Sequence, residues 1–135
     1  MGESLSHVAA KLHSEGPVLQ LHDAMTNETT RKVEEIVAGF IRESGAYGDW
    51  TDFRGILVCL RHEFPGTDDD ELNWMSFLVV RQLQEAGFTF ASCEGGEYTP
   101  WQDQSGEAVA ARIRREWDAL GRQPEIGDIC WFRRR

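Results

Sequence analysis

Apolar residues recur along this chain with two periods. Over residues 26–44 the spacing is helical: Val33, Ile36, Val37, Phe40 and Ile41 form one stripe, and Arg31, Lys32, Glu34, Glu35 and Arg42 fill the other face. Thr26 or Asn27 is placed to cap that helix, Glu28 complements its N-terminus, and Gly45 and Gly48 suggest a loop after Ser44. A second stripe, Phe53, Ile56, Leu57, Leu60 and Phe64, predicts a helix capped by Thr51 or Asp49, with Cys59 beside the core. Pro65-Gly66 makes a turn. Thr67 then caps a third helix that opens on Asp68, Asp69, Asp70 and Glu71 and stops at Gly87. Its core face is Leu72, Met75, Val79 and Leu83. Trp74, Leu78 and Arg81 give it a second face, with Phe77 between, so it is expected to be covered on two sides or else to form part of a partner interface.

The period then changes to two. Phe88, Phe90 and Ser92 alternate with Thr89, Ala91 and Cys93, which predicts a strand. Glu94, Gly95 and Gly96 turn the chain, and Pro100 keeps the returning strand short and at an edge. Ser105 caps a last helix with a seam of Val109, Ile113, Trp117 and Leu120, ended by Gly121 and Pro124. Arg112, Arg114 and Arg115 are expected to extend outward. Ile129, Cys130, Trp131 and Phe132 are apolar on both faces and predict a covered strand added to the hairpin sheet. Upstream, Leu5, Val8, Ala9 and Leu12 suggest a short helix over residues 4–14, and Val18, Leu19 and Leu21 a brief strand.

These elements predict an α+β fold of four to five helices with a small antiparallel sheet, the hairpin 88–101 plus a strand at 129–133. One domain is expected over residues 1–135: an arm at 1–24, a core at 26–101, and a C-terminal helix and strand at 105–135. Residues 51–101 resemble a winged helix-turn-helix domain, through the helix pair joined by Phe64, Pro65, Gly66 and Thr67, the stop at Gly87 and the hairpin that follows. The resemblance covers under half of the chain. It implies a scaffold that serves DNA readers, RNA binders and protein docking modules alike.

Charge narrows these options. The net charge is −9, and residues 1–102 hold 17 of the 23 acids but only 7 of the 14 basic residues. In a DNA-reading winged helix the start of the second helix enters the major groove, and affinity comes from basic groups on phosphates. Here that start carries Asp68, Asp69, Asp70 and Glu71. The hairpin carries Glu94 and Glu97 and no Lys or Arg. Asn73 alone has the chemistry to read adenine. Duplex DNA is therefore not expected on the usual face, although Arg112, Arg114, Arg115, Arg133, Arg134 and Arg135 leave another basic segment open.

Chemistry is sparse. Four carboxylates at a helix start complement the helix dipole and lack the alternating ligands of a calcium loop. His7, His13 and His22 have no partners at metal-ligand spacing. Glu34 and Glu35 are helix neighbours whose side chains point apart. His62-Glu63 lacks zinc-protease spacing, and Gly95-Gly96 lacks the helix and basic residue of a phosphate cradle. No catalytic, cofactor-binding or metal residues are assigned, and no cofactor is expected. Cys59, Cys93 and Cys130 are unpaired in spacing, and no run is long enough to span a membrane, so a cytoplasmic protein is expected. The opening MGESLS fits a loose myristoylation pattern at Gly2 without a second anchor.

The reading that follows is a non-enzymatic protein-binding module for a basic partner, of the inhibitor, immunity or nucleic-acid-mimic kind. Its candidate anchors are Asp68, Asp69, Asp70, Glu71, Trp74, Glu94, Glu97, Tyr98 and Trp101. The alternatives are a winged-helix transcriptional regulator and an enzyme with scattered catalytic residues.

Overall fold

The structure is a computed structural model that describes residues 27–47 and 49–134. The helix at 4–14, the strand at 18–21, the three upstream histidines, Gly2, Thr26 and Arg135 lie outside the described residues. Within them the elements run α1 (Asn27–Tyr47), β1 (Thr51–Asp52), α2 (Arg54–Glu63), α3 (Asp69–Glu85), β2 (Phe88–Glu94), β3 (Glu97–Pro100), α4 (Gly106–Leu120) and β4 (Trp131–Arg134). The fold is α+β, with four helices and one antiparallel sheet in the order β1-β4-β2-β3.

The helices follow their stripes. Val33, Ile36, Val37 and Phe40 of α1, and Ile56, Leu57 and Leu60 of α2, are buried in one cluster with the core face of α3. The α1 helix passes through Gly45 to Tyr47, because one glycine costs a helix about 1 kcal/mol without stopping it. The α3 helix is covered on two sides, as its width implied: Leu72, Met75, Val79 and Leu83 are buried, and so are Trp74 and Leu78. Ser105 caps α4 by accepting from the Ala108 N–H at 3.3 Å, and Gly121 closes that helix in the left-handed conformation, φ 66°. The hairpin turn is two residues, Gly95 and Gly96, both at positive φ (58° and 84°), as a primed turn requires.

Two caps differ from local expectation. Thr51 does not cap α2. It pairs with Phe132, and Asp52 pairs with Trp131, so this stretch is strand. Phe53 N–H continues the ladder to the Cys130 carbonyl at 2.9 Å. Asp52 instead accepts from the Arg54 N–H at 2.8 Å through one oxygen and from the Gly127 N–H at 2.6 Å through the other. Thr67 does not cap α3 either. Its hydroxyl donates to the Phe64 carbonyl, and Asp68 is the cap, accepting from the Glu71 N–H at 2.9 Å.

The C-terminal strand joins the hairpin sheet as expected, and β1 adds a further strand on its far side. β4 lies between β1 and β2 and pairs with both. It is not covered on both faces, because the strand period splits its aromatics. Phe132 is fully buried against Phe40, Phe88 and Phe90, while Trp131 is only half-buried on the opposite face. Beyond Pro100 the Gln104 side chain stands in for a strand. Its amide oxygen accepts from Phe90 N–H at 2.9 Å, and its amide nitrogen donates to the Phe90 and Trp101 carbonyls at 2.8 and 2.7 Å.

Candidate functional site

The strand period sorts the sheet into two faces. Phe88, Phe90 and Ser92 of β2 face the helices, and Thr89, Ala91 and Cys93 face away. Cross-strand register carries Tyr98 to the outer face opposite Cys93, and Trp131 to the outer face opposite Ala91. Trp50, just before β1, completes a cluster there. Its ring lies nearly parallel to that of Tyr98, 7° between planes and 5.0 Å between centroids. Trp131 meets Tyr98 edge-on at 5.5 Å. The Arg133 guanidinium lies 4.5 Å from the Trp50 ring centroid. Tyr98 is 37% exposed, and Trp50 and Trp131 are half-buried, so the rings form a wet aromatic platform.

Asp49 and Asp52 border this platform, and Arg133 lies on it. The Tyr98 hydroxyl is pushed above its ordinary pKa first by partial desolvation, then by the neighbouring Cys93 side chain, and then by the charges of Asp49 and Asp52. A surface of π faces bordered by carboxylates attracts cations, and Arg133 already uses one ring in that way.

The anchors expected from sequence do not form one surface. Trp74 and Trp101 are 7% and 5% exposed, which removes both as partner anchors. Trp101 is covered because Arg112 lies over its ring at 4.3 Å and its indole N–H donates to Ser92 Oγ at 2.7 Å. Trp74 sits in the buried second face of α3, and its indole N–H is the one buried side-chain polar atom without a hydrogen-bond partner among the described residues. Glu94 and Glu97 are exposed but share the hairpin face opposite Tyr98, since each is one residue from the outer-face pair. They stand directly across from each other, a like-charge pair at the turn. Asp68, Asp69 and Asp70 are exposed at the start of α3, with Glu71 half-buried beside them.

Two of the three arginines expected to extend outward from the last helix are committed, and Arg115 is exposed. Arg112 pairs with Glu116 at 2.8 Å and reaches Ser92 at 3.2 Å, so it does not extend outward. Arg114 lies 5.1 Å over the Phe77 ring, which covers the gap between the two faces of α3. Sequence reasoning missed Trp50 and Trp131 as surface groups, and it did not place Arg133 beside them. The available signal was register: Trp50 and Arg133 flank the β1–β4 pairs, which become visible only once those strands are known to meet.

Among the described residues no group of three or more His, Cys, Asp or Glu is arranged to hold a metal ion, and no helix is long and apolar enough to cross a membrane. No protein-family model, no curated protein and no solved structure matches the chain.

Proposed function

We propose that this chain is a non-enzymatic protein-binding module, on a winged-helix-like scaffold, that docks a basic segment of a partner protein on the outer face of its sheet. The observation that carries this reading is the Trp50, Tyr98 and Trp131 platform bordered by Asp49 and Asp52. Aromatic rings supply contact area at low entropic cost, and carboxylates steer and orient Arg and Lys. The Arg133–Trp50 stack supports the assignment, because an intramolecular guanidinium already occupies the kind of position an incoming one would take. The acids at the start of α3 and at the hairpin turn add negative charge that a basic partner meets at long range.

The test separates the patches. Affinity capture from cell extract is run with the wild type, Tyr98→Ala, Asp49→Lys and an Asp69→Lys/Asp70→Lys pair. The expected result is a basic protein retained by the wild type, lost on Tyr98→Ala and Asp49→Lys, and only weakened by the α3 pair. Loss with the α3 pair alone moves the site to the helix start. Salt-dependent retardation of duplex DNA by the wild type replaces this reading with a regulator.

A further inference from the structure

A cavity of about 380 Å³ lies between α1 and α2, and none of its lining residues belongs to the sheet platform. Its floor is apolar, built from Ile36, Phe40, Val58 and Cys59. Val58 is 47% exposed, an open apolar position of the kind that burial of a ligand would cover. The volume falls within the range of small-ligand sites, about 300–1,000 Å³.

Gly39 is the informative residue. It lines the cavity from the interior of α1, where glycine costs about 1 kcal/mol relative to alanine. Packing within the chain does not demand it. A Cβ built at Gly39 would meet only the flexible end of Arg42, at 3.8 Å. The missing side chain therefore serves to keep the space open rather than to let two parts of the fold approach.

The rim is acidic. Glu35, Glu43 and Glu63 border the cavity, with the exposed His62 of α2 beside them. Glu35 is paired with Arg31 at 2.8 Å. The carboxylates of Glu43 and Glu63 form no ion pair among the described residues; Lys32 instead donates to the Glu63 backbone carbonyl at 3.1 Å. Their charge reaches inward, because the Cys59 thiol is pushed up first by burial and then by Glu43 and Glu63. An apolar floor under a rim of three carboxylates, two of them without an ion pair among the described residues, suits one ligand chemistry: a small organic cation with an apolar body.

We propose that the α1–α2 cavity is a binding site for a small amphipathic amine, whose hydrocarbon part fills the space above Gly39, Phe40 and Val58 and whose ammonium group meets Glu43 and Glu63. The assignment is independent of the sheet platform and stands if that platform proves inert.

The experiment uses the full chain, uniformly labelled with nitrogen-15, titrated with phenethylamine, phenethyl alcohol and phenylacetate. These share one apolar body and differ in charge. The expected result is saturable shifts at the Gly39, Val58 and Cys59 amides with the amine, binding at least fivefold weaker with the alcohol, and none with the acid. Glu43→Gln/Glu63→Gln brings the amine down to the level of the alcohol. Gly39→Leu abolishes the shifts while the far-UV spectrum is kept; Gly39→Ala, the milder filling, weakens them if the leucine does not fold. Equal binding of alcohol and amine, amine binding that survives filling at Gly39, or no shift at these amides overturns the proposal.

Discussion

Trp74 and Trp101 offer a comparison in which the same substitution should give different results. Each is replaced by phenylalanine. Both indoles are almost fully buried, so both changes lose similar apolar area, about 1 kcal/mol at roughly 25 cal/mol per Å². At position 101 the change also removes the hydrogen bond from the indole N–H to Ser92 Oγ, about 1 kcal/mol net. It weakens the Arg112 stack at 4.3 Å as well, by roughly 0.5 kcal/mol. At position 74 the change removes a buried donor that has no partner, which returns about 1 kcal/mol or more of desolvation penalty. Trp74→Phe is therefore expected to be close to neutral, and Trp101→Phe to destabilise by about 2–3 kcal/mol. Urea unfolding followed by far-UV circular dichroism reads the difference as a shift in midpoint at constant slope, with no reliance on tryptophan emission. A Trp74→Phe variant that is as destabilised as Trp101→Phe refutes the reasoning, since it would mean that the indole N–H is satisfied in solution.

Other substitutions probe single contacts. Gln104→Ala leaves the Phe90 N–H without its acceptor and should lower unfolding free energy by about 2 kcal/mol in the same urea assay. Asp68→Ala should lose about 1 kcal/mol as the α3 cap, while Thr67→Ala, which the sequence alone would make the cap, should cost less. Glu97→Lys converts the like-charge pair with Glu94 into an attractive one and should raise the urea midpoint by about 0.5 kcal/mol equivalent. Asp128 tests pH dependence. Arg122 and then the Glu125 N–H hold its carboxyl below the usual range. Its contribution is complete above the ordinary carboxylate pKa of about 3.9 and is lost as pH falls through the lower folded value. The thermal midpoint gap between wild type and Asp128→Asn should be constant near neutrality and close below about pH 4.

What the sequence reveals here is what is decided locally. The α1 stripe, the Ser105 and Gly121 ends of α4 and the Gly95-Gly96 turn depend on residues within a few positions of one another, and all are legible. β1 is not. Thr51 and Asp49 have good capping chemistry, and only the arrival of Phe132 and Trp131 from far along the chain makes residues 51 and 52 a strand. The same distance hides the platform. Trp50, Tyr98 and Trp131 come from three separate stretches, and composition does not distinguish them from Trp74 and Trp101. Tryptophan suits an interface and a core equally well. The Arg112 stack and the burial of the second face of α3 made Trp74 and Trp101 interior, alongside Trp117 of the α4 seam. The split between Tyr98 and the Glu94–Glu97 pair was available from the strand period, but only with the register fixed.

The position of β4 bears on how the molecule is made. Translation delivers β1 and the β2–β3 hairpin well before it delivers the strand that joins them. Until residues 131–134 emerge, β1 has no ladder partner and β2 has one open edge, with Phe90 waiting for Phe132. Sheet closure therefore spans roughly eighty residues, a long loop of the kind that slows folding. A stalled or clipped product lacking that final strand would leave an unpaired β2 edge, a template for joining two chains rather than finishing one.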